Sequence, residues 1–260
     1  MTNEDEVIKK IKDIKIQGAN NIARGGIKIY SKHPTKRLKK KLINARPTEP
    51  LLFNSIKKFD KGLNYSDILK HFDLVQERVN KFVLRLLKGK KIVYTHCHSS
   101  TVINALIYAH KHKWKGEVYN TETRPLFQGR KTARDLKKAG IKVTMFVDAA
   151  IKEAAEGSDI VFLGADAILK DGVVNKIGSN LIGEIIKNNK IPLYILSDSW
   201  KYSKKTIKIE ERKSKEVWKN KPKGLKIENP AFEKIEKRYI KGIVSELGIL
   251  TFDKFLKKVK

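Results

Sequence analysis

The stretch Lys91–Tyr108, KIVYTHCHSSTVINALIY, changes character twice along its length. Ile92–Tyr94 is a short β-branched and aromatic run, which predicts a strand. Thr95-His96-Cys97-His98 is a polar turn, and Ser99-Ser100-Thr101 opens the helical pattern Val102–Tyr108. Strand, turn and helix in that order are the repeating unit of a parallel α/β sheet. Ligands of such sheets lie outside the carboxyl ends of the strands. A Ser/Thr cluster at a helix start leaves backbone N–H groups free to hold an anion. The single cysteine of the chain, Cys97, stands at the tip of this strand. Its functional reading is a nucleophilic or basic thiol beside a phosphate cradle. Its structural reading is a buried, inert thiol with Ser99 as an ordinary N-cap. A zinc centre is not expected, because in an extended segment His96 and His98 share one face while Cys97 points away, and no second cluster has ligand spacing.

Downstream the same alternation repeats. Val118–Thr121, Val143–Val147, Ile160–Leu163 and Leu193–Leu196 read as strands. Helices are expected at Lys131–Lys138 (closed by Gly140), near Ala149–Ala155 and at Leu181–Lys187. This βαβα order predicts a Rossmann-like, doubly wound, mostly parallel sheet. Lys201–Lys226 reads as a lysine-rich loop excursion, Tyr239–Val244 as a last strand and Thr251–Val259 as a terminal helix.

Upstream, the spacing of Ile8, Ile11, Ile14 and Ile16, continued by Ile22, Ile27 and Tyr30, predicts helix over 4–31. Small residues within Gln17–Gly26 would let a backbone or a ligand come close. Ala45-Arg46-Pro47-Thr48-Glu49-Pro50 reads as a rigid turn whose arginine is placed for phosphate. Asn64–Leu87 is a long amphipathic helix with Leu69, Phe72, Val75, Val79, Phe82, Val83 and Leu86 on one side, ended by Lys88-Gly89-Lys90. The expected division is an N-terminal helical domain, residues 1–88, and a Rossmann-like C-terminal domain, residues 89–260.

Composition bounds the function. With 260 residues, 40% of them hydrophobic, the chain can build a sizeable core. One cysteine excludes an internal disulfide and fits a reducing compartment. The polar start MTNEDEVIKK lacks an apolar leader region, and no apolar run approaches the roughly 20 residues that span a bilayer. A soluble, cytoplasmic protein with no membrane partner is expected. Lys+Arg 57 against Asp+Glu 28 leaves a net charge of +29. These charges are mostly lysine and spread through nearly every segment, without a zinc finger, an Arg-rich arm or an RNP-type aromatic signature. A direct nucleic-acid role is therefore not expected, whereas polyanionic small substrates such as sugar phosphates suit the surface.

The other strand tips add the remaining chemistry. Thr121-Glu122-Thr123-Arg124-Pro125 and Gln128-Gly129 follow the second strand, Asp148 the third, and Gly164-Ala165-Asp166 the fourth. The turn Lys170-Asp171-Gly172 leads to Val174–Ser179, read as a helix start, where Lys176 and the amides near Gly178 could hold a phosphate. A carboxylate and a thiol converging on one crevice can act as an acid–base pair. Taken one at a time, the acidic tips also fit caps and turns. No dinucleotide fingerprint is present, and neither a metal nor a cofactor is expected.

Five ordered motifs carry a resemblance over about residues 10–250. They are Thr95–Thr101, Thr121–Pro125 with Gln128-Gly129, Gly164–Asp166, Asn175–Gly178 and Asn229-Pro230-Ala231-Phe232. Together they resemble the family that joins the alpha, beta and delta regulatory subunits of translation initiation factor 2B, methylthioribose-1-phosphate isomerase and archaeal ribose-1,5-bisphosphate isomerase. The wording His98-Ser99-Ser100-Thr101 is most similar to the last of these. The resemblance implies an enzyme converting α-D-ribose 1,5-bisphosphate to D-ribulose 1,5-bisphosphate in archaeal AMP and nucleoside salvage. Cys97 would be proton acceptor and Asp166 proton donor. It places substrate binding on Gln17, Gly18, Ala19, Asn20, Arg46, Ser99, Ser100, Thr101, Asn175, Lys176 and Lys201. It also implies a homo-oligomer, dimer or hexamer. The family's N-terminal Arg-Gly-Ala-Gly is here Gln17-Gly18-Ala19-Asn20. The alternatives are a non-catalytic translation-factor-like regulatory subunit and a methylthioribose-1-phosphate isomerase. For the thiol to act as base its pKa should be lowered, and the helix N-terminus and Lys176 are the expected causes.

Overall fold

The computed structural model describes residues 3–13, 15–207 and 209–259. Five helices come first: α1 (Asn3–Lys12), α2 (Ala19–Tyr30), α3 (Lys36–Ala45), α4 (Pro50–Asp60) and α5 (Tyr65–Leu86). The α/β part follows as β1 (Ile92–Thr95), α6 (Ser100–Lys111), β2 (Glu117–Thr121), α7 (Gln128–Lys138), β3 (Lys142–Phe146), α8 (Ile151–Glu156) and β4 (Ile160–Leu163). It continues with β5 (Ala167–Ile168), β6 (Gly172–Lys176), α9 (Ser179–Asn188), β7 (Leu193–Leu196), β8 (Phe232–Glu236), β9 (Gly242–Ser245), β10 (Gly248–Leu250) and α10 (Phe252–Val259).

Seven strands form one sheet in the order β10-β9-β7-β4-β1-β2-β3. Every pairing is parallel except that of β10 with β9. The central strands are apolar because both faces are covered. Alternation then divides them. Tyr94, Val161, Leu163, Ile195 and Ile243 pack under α8, α9 and α10. Val93, Val118, Ile160, Phe162, Leu196 and Val244 pack under α5, α6 and α7. The N-terminal helices hold a third core around Ile11, Ile22, Ile27, Leu42 and Leu52.

Helix α5 belongs to both regions. Asn64 caps it by accepting from the Asp67 amide, and Ile68, Phe72, Val75, Val79 and Val83 form its buried stripe. Ile68 and Phe72 join the helical core, while Val75, Val79 and Val83 join the core of the sheet. Among the described residues, no helix is long and apolar enough to cross a membrane.

The structure corrects several expectations. The helix expected over 4–31 is two helices, because Gly18 takes φ 82 and breaks the run before α2; Ile14 lies outside the described residues. Helix α3 is lysine-rich and buries only Leu38, Leu42 and Ala45, a stripe too thin to show in the sequence. A second, antiparallel sheet, β5-β6-β8, was not expected. Asn175 and Lys176 therefore end a strand rather than open a helix, and the turn at Lys170–Gly172 closes a hairpin. The strand expected from Tyr239 begins at Gly242, since Lys237–Tyr239 forms a 3-10 turn, and it is not the last: β10 follows it as an unexpected antiparallel edge strand. Lys201–Lys226 is largely irregular, as expected, but Lys201 itself is buried; Lys208 lies outside the described residues.

Candidate active site

The thiol stands on a strained turn. Cys97 has φ 66, in the left-handed region that non-glycine residues rarely occupy. Its neighbours hold it there: the Cys97 amide donates to Thr123 Oγ1 (3.1 Å), and Thr132 Oγ1 donates to the Cys97 carbonyl (2.7 Å). The flanking histidines brace the turn. His96 is buried, and burial lowers its pKa, so the ring is neutral. Its Nε2 is 2.8 Å from the Ile177 carbonyl, which can only accept. The proton is thereby assigned to Nε2, and Nδ1 accepts from Thr121 Oγ1 at 2.6 Å. His98 contacts Thr132 Oγ1 through Nδ1 (3.2 Å) and accepts from Lys131 Nζ through Nε2 (2.9 Å). Burial, then the Lys131 ammonium, pulls its pKa down to about 4. Both rings therefore have protein partners away from the sulfur.

Asp166 follows β4 through Gly164 and Ala165. A Cβ on Gly164 would lie 2.7 Å from Ser99 Oγ, so only glycine lets this tip pass so close to the start of α6. The Asp166 amide donates to the Val174 carbonyl (2.9 Å), and Lys201 Nζ donates to the Ala165 carbonyl (2.6 Å). Two independent anchors thus fix the aspartate, one from β6 and one from the turn after β7.

Cys97 and Asp166 line one cleft of about 120 Å³. Around them stand Gln17–Asn20 at the start of α2, Arg46 from the end of α3, and Ser99–Thr101 at the start of α6. Asn175 and Lys176 of β6 and the buried Lys201 complete the wall. The structure brings together all thirteen residues singled out in the sequence, from six separate parts of the chain. A groove of about 900 Å³ beyond Arg46 and Glu49 is larger, but Cys97 and Asp166 do not line it.

Burial dominates the electrostatics. The Asp166 carboxyl is pushed up by burial, against the opposing pull of Lys201, Arg46 and Lys176. The Cys97 thiol is pushed up to about 11 by burial, and Lys176 offsets this only in part. This corrects the expected lowering: in the free cleft the thiol is neutral at pH 7. The Gly178 expectation is corrected too. The amides of Gly178, Ser179 and Asn180 bond the Glu233 carboxylate, with Asn180 N at 2.8 Å from Oε1. The N-terminus of α9 is occupied by the protein's own acid. Those of α2 and α6 face the cleft.

Sequence reasoning gave no binding role to several wall residues: Glu49 and Gln128, which it quoted within motifs, and Arg212 and Glu216. Glu49 is buried, and burial, then Asp166, pushes its carboxyl up to about 8. Its place on the rigid turn after Arg46 was a usable signal. Arg212 is the one arginine of the lysine-rich 201–226 stretch, and that oddity was the only mark it left. Asn20 Oδ1, Arg46 Nε, Glu49 Oε2 and Gln128 Oε1 are buried without a hydrogen-bond partner, and all four belong to the walls of this cleft. Buried polar atoms are seldom left unpaired, so their convergence marks a site for a polar ligand.

The model of the Initiation factor 2 subunit family matches residues 7–252. The chain is 34% identical to the ribose 1,5-bisphosphate isomerase of Methanocaldococcus jannaschii, over 94% of this chain and 90% of that protein. It is 27% identical to a putative translation initiation factor eIF-2B subunit 2-like protein of Pyrococcus horikoshii, over 94% and 95% of the two chains. Among solved structures, the P. horikoshii translation initiation factor eIF-2B superposes with a TM-score of 0.84 at 24% identity, covering 96% of this chain and 98% of that one. The 5-methylthioribose 1-phosphate isomerase of the same organism superposes at 0.79 and 21% identity, covering 98% and 87%. The chain belongs to the Initiation factor 2 subunit family.

Proposed function

We propose that this member of the Initiation factor 2 subunit family is an intramolecular aldose–ketose isomerase that converts α-D-ribose 1,5-bisphosphate to D-ribulose 1,5-bisphosphate. The observation that carries the reading is the convergence of Cys97 and Asp166 on one cleft walled by cations. Arg46, Lys176, Lys201 and Arg212 line it, together with the first turns of α2 and α6. Two helix N-termini and four cations suit a substrate with a phosphate at each end. The archaeal relative's name supports the same substrate.

The C1 phosphate masks the aldehyde that a simple aldose isomerase would use, so the ring must open with the phosphate retained. Asp166 donates its proton to the ring oxygen as the C1–O4 bond breaks. The Cys97 thiolate takes the C2 proton, and that electron pair becomes the C1=C2 bond of an enol phosphate. The C2 hydroxyl then returns a proton to the Asp166 carboxylate, C1 takes the proton from the Cys97 thiol, and the C2 ketone forms. Both groups end as they began. A protonated Asp166 agrees with its burial. A neutral thiol means that the active ionic form is a minor one in the free protein, and the sulfur must lose its proton before the reaction can begin.

The same chemistry on 5-methylthioribose 1-phosphate is the second reading, favoured by Pro125, Leu126 and Phe232, apolar residues on the cleft wall. Incubating the purified protein with each sugar phosphate and following ketose formation by 31P NMR separates the two. Turnover of the bisphosphate, lost in Cys97→Ser, is the expected result. Turnover of the methylthio sugar alone would replace the reading, and turnover of neither would leave a regulatory subunit. We also carry over the dimer or hexamer that the family resemblance implies, which light scattering of the full chain tests.

A further inference from the structure

The irregular segment after Lys201 returns to the cleft at Glu210–Arg212. Its main chain is pinned there: Arg212 N donates to the Asn229 carbonyl (2.9 Å) and Ala231 N to the Glu210 carbonyl (3.0 Å). Ala231 and Phe232 line the cleft themselves. The segment is therefore fixed beside the site by backbone bonds that no side-chain substitution at 210 removes.

Glu210 is shared between two arginines. Its Oε1 accepts from Arg212 Nη1 at 3.0 Å, and its Oε2 lies 3.6 Å from Arg46 Nη1. Among the described residues, the other ion pair of Arg46 is with Glu49, again at 3.6 Å, and its buried Nε has no hydrogen-bond partner. Both contacts are longer than a hydrogen bond. Arg46 is held by charge, with its fork of donors unused. Arg212 is better anchored. Its Nε donates to Glu216 Oε2 at 3.0 Å and its Nη2 to Glu216 Oε1, which orients the guanidinium and leaves Nη1 to Glu210. A carboxylate bridging two guanidiniums sits where a phosphate monoester would bridge them, since planar forks suit either anion.

We propose that Arg46 and Arg212 form one phosphate subsite of the cleft, and that Glu210 is a built-in competitor which the phosphate displaces from Arg46. The inference rests on the phosphosugar reading for its substrate, but it makes its own demand. Removing the Glu210 charge should tighten anion binding, although Glu210 makes an ion pair that a purely structural role would need intact. Glu210→Gln keeps the shape and both backbone bonds while freeing the two guanidiniums. Arg212→Ala removes one charged donor from the phosphate, and Arg212→Lys keeps the charge without the fork.

Calorimetric titration of the full chain with inorganic pyrophosphate, and with ribose 1,5-bisphosphate, tests this. In Glu210→Gln the Kd should fall by about three- to tenfold for both ligands. In Arg212→Ala it should rise by about ten- to a hundredfold, the range for lost charged hydrogen bonds, with Arg212→Lys between. Glu210→Gln binding pyrophosphate no better than the native chain would overturn the proposal, even if the native chain turns over the bisphosphate. Tighter pyrophosphate binding without any turnover would support the subsite and remove the isomerase reading instead.

Discussion

The raised pKa of Cys97 makes a prediction that alkylation kinetics can check. Burial sets the thiol at about 11 against an ordinary 9.0. At pH 7 this leaves about one molecule in ten thousand as thiolate, roughly a hundredfold less than an unperturbed thiol. A more basic thiolate is also intrinsically more nucleophilic. With a Brønsted coefficient of about 0.4–0.5, two pH units return roughly six- to tenfold. The net rate with iodoacetamide at pH 7 is therefore about ten- to twentyfold below that of a free thiol, before any shielding. The shape of the pH profile is the sharper readout. The rate should climb about tenfold per pH unit through pH 10 without levelling, in protein shown to be folded by circular dichroism. Cys97 is the only cysteine, so no other sulfur contributes. Lys176→Met removes the charge that holds the pKa down and should slow alkylation further at every pH below the thiol's pKa. A profile that levels at or below pH 9 would refute the reasoning and show a thiol activated in the free protein.

Three other outcomes follow from single positions. Gly164→Ala sets a Cβ 2.7 Å from Ser99 Oγ and should cost about 1–3 kcal/mol in chemical denaturation, with kcat/KM falling because the start of α6 must move. Gly178→Ala places a side chain at φ +98, with its Cβ 3.2 Å from His96 Nε2, and should cost at least about 1–2 kcal/mol in the same assay. Glu49 keeps its proton up to about pH 8 when folded but releases it near the ordinary 4.5 when unfolded. The folded state binds more protons in that window, so the carboxyl's contribution to stability is full below pH 4.5 and is lost as pH rises toward 8. Glu49→Gln should therefore raise the melting temperature more at pH 8 than at pH 5, which thermal scans at both pH values will read.

What was legible in the sequence follows the physics of each element. Ile160–Leu163 and Leu193–Leu196 are parallel strands buried on both faces, so each is an unbroken apolar run, the first between Asp159 and Gly164 and the second between Pro192 and Ser197, and both were bounded correctly. The site was legible because parallel strands deliver their tips to one edge, which gathers Cys97 and Asp166 whatever their separation in the chain. The second sheet was not, since β6 becomes a strand by pairing with β8 across the long 201–226 excursion, a contact no local pattern encodes. Glu233 filling the N-terminus of α9 and Glu210 bridging two arginines are likewise long-range placements of ordinary surface residue types. The Cys97 pKa was misjudged in direction because burial, a property of the packed chain, outweighs the lysine that the sequence shows nearby.

The sulfur and the carboxyl are held to act together on one phosphorylated sugar, and a single kinetic comparison tests this most directly. Conversion of α-D-ribose 1,5-bisphosphate to the ketose should be measured by 31P NMR for the native chain, Cys97→Ser, Asp166→Asn and the double variant. Turnover by the native chain, a loss of about 10²–10⁴-fold in each single variant, and a double variant scarcely worse than either are the predicted results. Native turnover that survives in either single variant would contradict the assignment.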